Sequence, residues 1–289
     1  MPCVALAVVI AVVSHAEVAR SENDEVDAWV NAAAAPPPAA SAASAASAAS
    51  AASQSGCAAG MVEVLGDYCP DLPEQKCRRW VNDNTKGRCA EFEPSEACAT
   101  ATVRKHFCMD RFEYPNLPGE KPLVMKSWLE ARVVCASAGK RLCNDSEWTL
   151  ACEGPERLPY PYGLARDATA CNIDKPPISV HEEDLRNLAR RDAETKRLWQ
   201  GEPSGARDRC KSAFGVQDMT GNVDEWVVNE KGKPHRSALK GGYWSWVRGR
   251  CRPLTDGHAE DFRYYQIGFR CCSDAPPSAA DPATASASR

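Results

Sequence analysis

The apolar positions of this chain change their period several times. An unbroken apolar run, Val4 to Val13, comes first. Ten residues are too few to cross a bilayer as a helix. Ser14-His15-Ala16 follows, a small-x-small ending of the kind signal peptidase cuts. The run is read as a secretory signal, residues 1–16, although no Lys or Arg precedes it. A mis-assigned start or a buried strand is the alternative. Short apolar stretches predict a strand at Met61 to Leu65 and a strand running into a turn over Lys105 to Asn116. Helical spacing then appears at Trp128, Ala131, Cys135 and Ala138. Ser127 and Glu130 supply a capping box and Gly139 the stop. Asn144 caps a second short helix, with Glu147 three residues on and Gly154 closing it. These helices are expected to pack through their apolar faces, with Trp128 and Trp148 in the core. Asp184 to Trp199 is charged and Leu-spaced, which predicts an exposed amphipathic helix.

Other segments cannot bury a core. Residues 17–56 begin mixed and acidic. Ala32 to Ser55 is then built from Ala, Pro and an Ala-Ala-Ser repeat, with almost no side-chain bulk. This stretch is read as a low-complexity linker that spaces the folded part from a membrane or wall. Residues 273–289, rich in Ala, Ser, Pro and Asp, are expected to be a disordered tail. Residues 57–99 hold Cys57, Cys69, Cys77, Cys89 and Cys98 among the turn formers Pro70, Pro73, Asn82, Asp83, Asn84 and Gly87. They predict a small loop-rich lobe held by disulfides. A zinc module is the sharper alternative, but the spacing lacks the close Cys-x-x-Cys pairs it would use.

Composition sets the compartment. The chain has 289 residues, 35 basic and 39 acidic, for a net charge of −4, which gives no reason to expect a nucleic-acid partner. Its 15 cysteines are many for a reduced cytosol. Removing Cys3 with the signal leaves an even number, enough for seven disulfides in an oxidising compartment. The mature chain is therefore expected to be secreted, periplasmic or at the cell surface, without a transmembrane span.

The most distinctive stretch is Phe214-Gly215-Val216-Gln217-Asp218-Met219-Thr220-Gly221-Asn222-Val223-Asp224-Glu225-Trp226. Gly221 and Asn222 tolerate positive φ, which predicts a tight turn. Asn222, Asp224 and Glu225 place side-chain oxygens within four positions, a set that a hard cation such as calcium could take. A turn whose polar side chains cap their own backbone is the plainer reading, and the spacing alone favours it.

This stretch resembles the Gly-x-x-Asp-Met-x-Gly-Asn-Val-x-Glu-Trp motif of the formylglycine-generating enzyme, or sulfatase-modifying factor, family. Gly139-Lys140-Arg141-Leu142-Cys143-Asn144-Asp145-Ser146-Glu147-Trp148 resembles that family's Gly-Lys-Arg-Leu-Pro-Thr-Glu-x-Glu-Trp. Lys240-Gly241-Gly242-Tyr243-Trp244, Cys251-Arg252 and Gly268-Phe269-Arg270 resemble its C-terminal motifs. Met109 to Glu113 and Tyr160 to Gly163 are weaker echoes. The resemblance covers roughly residues 100–272. It implies an α+β, irregular, loop-rich fold, C-type lectin-like, with multiple disulfides. It also implies two disulfides, Cys135 to Cys271 and Cys152 to Cys251. Cys272 could compete for the partner of Cys271. Pairing of Cys143 with Cys171, of Cys98 with Cys108, and of Cys210 with a lobe cysteine are further expectations.

The resemblance also turns the balance toward structural calcium. One site would use Asn172 and the Ile173 carbonyl. The other would use Asn222, the carbonyls of Gly221 and Val223, and the Glu225 side chain. Active members of the family oxidise a cysteine of a client sulfatase with dioxygen, at copper(I) held by two thiolates. The corresponding segment here, Tyr243 to Cys251, has a single cysteine, and Tyr243 replaces the motif serine. The copper pair is thus unmatched and no catalytic residue is assigned. His15, His106, His181, His235 and His258 form no i, i+3 or i, i+4 pair, which argues against the iron site of other branches. No nucleophile-elbow pattern points to a hydrolase. Two functions remain. One is a recognition or structural module that binds a protein or peptide over Tyr243, Trp244, Trp246, Arg248 and Arg250. The other is an oxidoreductase with a rebuilt site.

Overall fold

A computed structural model describes residues 56–81, 88–247 and 249–276. Contacts divide the chain into Met1–Ala52 and Ser53–Arg289, and every described residue belongs to the second unit. The expected signal, the linker up to Ser55, Asn82 to Gly87, Arg248 and residues 277–289 lie outside the described residues.

In chain order the elements begin with β1 (Met61–Tyr68), β2 (Cys77–Trp80), β3 (Cys89–Phe92), β4 (Val103–Asp110), α1 (Trp128–Ser137), β5 (Arg141–Leu142) and α2 (Asp145–Glu153). They continue with α3 (Glu182–Arg186), α4 (Leu188–Leu198), β6 (Asp224–Val228), β7 (Ser237–Lys240), β8 (Ile267–Phe269) and β9 (Cys271–Asp274). The fold is α+β, with long irregular connections. One sheet has the order β1-β4-β9-β5 and a second the order β7-β6-β8, while β2 and β3 form a separate hairpin. Among the described residues no helix is long and apolar enough to cross a membrane.

The two sequence-predicted helices start where their caps place them. Ser127 accepts from the Glu130 N–H, and the Glu130 carboxylate accepts from the Ser127 N–H, closing a capping box. Glu147 closes the same kind of box with Asn144 at the start of α2. Trp128 and Trp148 are buried. The amphipathic segment is two helices instead of one. Asn187, at φ −86° and ψ 115°, breaks it, and its side chain caps α4 by accepting from Ala189.

Two boundaries differ from expectation. β1, expected in a separate cysteine-rich lobe, is the edge strand of the main sheet and pairs with β4 from Met61↔Asp110 to Tyr68↔Val103. The β2–β3 hairpin, inserted between β1 and β4, lies outside that sheet and packs on the body through a Glu91↔Ala165 bridge and a cluster of Cys89, Phe92 and Tyr160. Ser273 and Asp274, expected in the tail, finish β9 opposite Cys108 and Phe107.

Strand geometry also decides the disulfides. Cys135–Cys271 and Cys152–Cys251 form as the resemblance implied. Consecutive strand residues point to opposite faces, so Cys271 joins the core with Trp128, Leu142 and Trp226, while Cys272 joins the one with Trp148, Phe107 and Met109. Cys272 therefore does not compete for Cys135. It pairs with Cys143, which follows the β5 residue Leu142 opposite Cys271. Cys143 to Cys171 is thereby corrected, and Cys171 pairs with Cys210. Cys98 to Cys108 is likewise corrected to Cys69–Cys98 and Cys57–Cys108, because β1 brings Cys57 alongside β4. Cys77–Cys89 crosses the hairpin. The separations of 136, 129 and 99 residues closed on Cys271, Cys272 and Cys251 make these long loops. Chain entropy gives each such crosslink roughly 4–5 kcal/mol as an upper guide.

Arg270, between β8 and β9, is 1% exposed and binds the Glu225 carboxylate through Nε (2.7 Å) and Nη2 (2.5 Å). Its remaining hydrogen bonds go to the carbonyls of Asp110, Arg111 and Gln217. Trp148 donates to the same Glu225 carboxylate at 2.7 Å. The guanidinium thus ties β4, β6 and the Gln217 loop together, and Glu225 adds α2 through Trp148. Removing one partner of a buried pair leaves the other charge without compensation, at a cost of about 3–5 kcal/mol. Arg270→Met is expected to lose that amount in urea denaturation and roughly 10 °C in Tm. A loss below about 1 kcal/mol would show that the pair does not hold the fold.

Candidate functional site

The two segments expected to hold calcium form a single cluster. Gly221, at φ +82°, lets the backbones meet: a Cβ there would lie 2.3 Å from the Asn172 carbonyl oxygen. The Asn222 N–H donates to that carbonyl at 3.0 Å, and Asn172 Nδ2 donates to Asn222 Oδ1 at 3.0 Å. Asn222 Oδ1 also accepts from the Glu202 N–H at 2.8 Å. Asn222 Nδ2 donates to both oxygens of Glu113, at 3.1 and 2.9 Å.

Glu113 and Asp218 are the cluster residues that sequence reasoning left unassigned, although both lie in the quoted motifs. Glu113 is fully buried and also accepts from Ser204 Oγ and the Val223 N–H. Burial, with Asp218 and Glu225 nearby, holds its carboxyl well above the usual range. Asp218 accepts from the Gly205 N–H at 2.7 Å. Its carboxyl is pushed up to about 6, chiefly by burial, against the pull of the Gly205 hydrogen bond and Arg270.

The six expected calcium residues fit an ion unevenly. Asn172 Oδ1 is buried without a hydrogen-bond partner, which suits a cation ligand. Asn222 Oδ1 is held by two donors, and the Glu225 carboxylate is held by Arg270 and Trp148. In this arrangement Glu225 serves the ion pair rather than an oxygen cage.

The expected binding surface is also rearranged. Trp244 is 1% exposed and packs edge-on against Trp199 at 5.0 Å, so it belongs to the core. The Lys175 N–H donates to the Trp244 carbonyl, which fixes the segment inward. Tyr243 is half-buried beside Trp244 and Tyr265. Trp246 is exposed at 40% and donates to the Asp174 carbonyl at 2.9 Å. The accessible concavity lies beside these aromatics. It has about 410 Å³ and is lined by Asp224, Leu239, Gly241, Gly242, Val247, Gly249, Arg250, Pro253 and Thr255. Gly242 forms part of the floor at φ +71°, where a Cβ would come within 2.7 Å of Gly249 Cα.

No free thiolate faces this concavity among the described residues. Cys251, the cysteine of the segment, is bonded to Cys152, and each of the other thirteen cysteines from Cys57 onward is also in a disulfide. A two-thiolate copper(I) site therefore does not fit the residues present.

Fold and site together define a disulfide-linked α+β domain whose motifs converge on a buried Arg–Glu pair beside a glycine-floored trough. The chain belongs to the sulfatase-modifying factor family: residues 74–275 match the sulfatase-modifying factor enzyme 1-like domain. It is 28% identical over 185 residues to the Bos taurus inactive C-alpha-formylglycine-generating enzyme 2, covering 55% of this chain and 52% of that protein. It is 27% identical over 187 residues to the Bos taurus formylglycine-generating enzyme, covering 55% and 46%. The chain thus spans about half the length of the curated relatives it matches. Among solved structures it is similar to CarF, with a TM-score of 0.48 and 16% identity over 75% of this chain and 98% of that one.

The disulfide arrangement is directly measurable. Mass spectrometry of unreduced peptides is expected to recover Cys152–Cys251, Cys143–Cys272 and Cys171–Cys210. A free Cys251 with a second free thiol nearby would contradict the site described.

Proposed function

We propose that this domain is a non-catalytic recognition or structural module of the family, working in an oxidising compartment outside the cytosol. The observation that carries the reading is that the segment Tyr243 to Cys251 has a single cysteine and that this one is bonded to Cys152, which leaves no thiolate there for a copper pair. The replacement of the motif serine by Tyr243 supports it. Similarity to a relative named as inactive points the same way. The seven disulfides support an oxidising compartment. In this reading the partner is a protein or peptide segment lying in the trough.

The competing reading is a metal-dependent oxidoreductase with a rebuilt site. Copper(I) titration and oxygen uptake with a cysteine-containing peptide separate the two. The expected result is no stoichiometric copper(I) binding and no oxygen uptake above background. Stoichiometric copper binding with oxygen-dependent oxidation of the peptide would replace this reading by the enzymatic one.

Calcium belongs to the same proposal as a structural ion near Asn172, whose buried oxygen lacks a protein partner. Adding calcium to chelator-treated protein is expected to raise Tm. At a free concentration one hundred times Kd the stabilisation would be about 2.7 kcal/mol. Asn172→Ala is expected to abolish the shift. An unchanged Tm at millimolar calcium would remove the ion from the account.

A further inference from the structure

The trough does not end at Pro253. Two more cavities, of about 390 and 580 Å³, adjoin it, and Arg250 lines all three. Pro253 is shared by the first and second, and Pro73, Glu74 and Gln75 by the second and third. The cavities thus neighbour one another from the glycine floor past Arg250 to Cys77, Trp80, Cys89 and Phe92. The far wall is the β2–β3 hairpin, the piece inserted between two neighbouring strands of the main sheet.

The hairpin is braced as a wall. Cys77–Cys89 crosslinks its strands, and Cys69–Cys98 closes its base. Arg250 joins wall to body: its Nη1 donates to Gln75 Oε1 at 3.2 Å, and its guanidinium lies 4.9 Å from the Phe92 ring centroid. Gln75 and Ser95 both donate to the Arg157 carbonyl, at 3.1 and 2.6 Å, fixing the other flank.

The lining has a definite chemistry. Gly241, Gly242 and Gly249 line the inner end with closely packed backbone: a Cβ would lie 2.8 Å from the Met219 carbonyl oxygen, 2.7 Å from Gly249 Cα and 2.6 Å from the Gly241 carbonyl oxygen, respectively. Trp80 is 42% exposed at the hairpin end, beside a disulfide and Phe92. Lys76 and Arg252 are neutralised, by Glu96 at 2.6 Å and by Glu153 at 2.6 Å. Glu74 lines two of the cavities, is exposed, and has no ion-pair partner among the described residues.

We propose that these cavities are one extended peptide-binding groove, and that the inserted hairpin sets its selectivity. The occupant is an extended segment of a partner protein. It places a large apolar side chain against Trp80 and a Lys or Arg against Glu74, with its backbone continuing over Gly242. The proposal rests on the recognition reading above and adds the partner's chemistry to it.

The test is a random-peptide display selection on the disulfide-intact chain, followed by affinity measurement on the enriched peptides. Enriched sequences are expected to carry a large apolar residue and a basic residue at a fixed offset. Trp80→Ala and Glu74→Lys should each weaken binding at least tenfold, as loss of an interface anchor does. Both side chains are exposed, so Tm should stay near that of the parent. Val247→Trp, which fills the other end from a half-buried position, should weaken the same peptides with Tm unchanged. Peptides that bind both hairpin variants as tightly as the parent, yet lose affinity with Val247→Trp, would overturn the hairpin's role and leave the recognition reading standing. Failure to enrich any peptide would overturn both.

Discussion

The buried pair between Arg270 and Glu225 is the constraint on which the rest of the structure depends. An arginine that is 1% exposed needs its charge matched and its donors filled, and its contacts do both. Those contacts come from three places, Asp110 with Arg111, Gln217, and Glu225. Once Arg270 is satisfied, β8 lies parallel to β6 and β9 antiparallel to β4. The next two residues, Cys271 and Cys272, then sit on opposite faces and lock to α1 and to the segment after β5. Three consecutive residues thus hold the sheet, both cores and two long loops. Glu225 has a large share in this, which explains why its carboxylate is turned to the pair and to Trp148.

The same arrangement defines what the trough can do. With Cys251 fixed to Cys152, the segment that lines the concavity offers glycine backbone, Val247 and Arg250 in place of thiolates. The proposed recognition role rests on that lining, and the proposed groove continues from it to the β2–β3 hairpin. The hairpin is braced by two disulfides because so small an insert buries little apolar area of its own.

Local signals predicted local structure well. The capping boxes at Ser127 and Asn144 started both helices because a cap acts within three residues of itself. Trp128 and Trp148 went inward because helical periodicity states which face is apolar. Asn187 is the counterexample: its side chain satisfies the Ala189 N–H, and that local bond interrupts a segment whose charge and leucine spacing read as continuous helix. The tail boundary moved for a different reason, since Ser273 gains pairing only when β4 lies beside it.

By itself the sequence determined the family, the α+β class and the helix starts, and the family resemblance implied two of the disulfides. The motifs and helix starts follow from residue types at short spacings, which need no knowledge of distant neighbours. Only the tertiary structure decided the remaining disulfide pairs, because a cysteine's partner depends on strand register and on which face each residue takes. It alone turned Trp244 into the core, brought Asn172 onto Gly221 and Asn222, and placed the hairpin against Arg250. These outcomes depend on competition for space and charge among residues tens to hundreds of positions apart, and no local pattern encodes them.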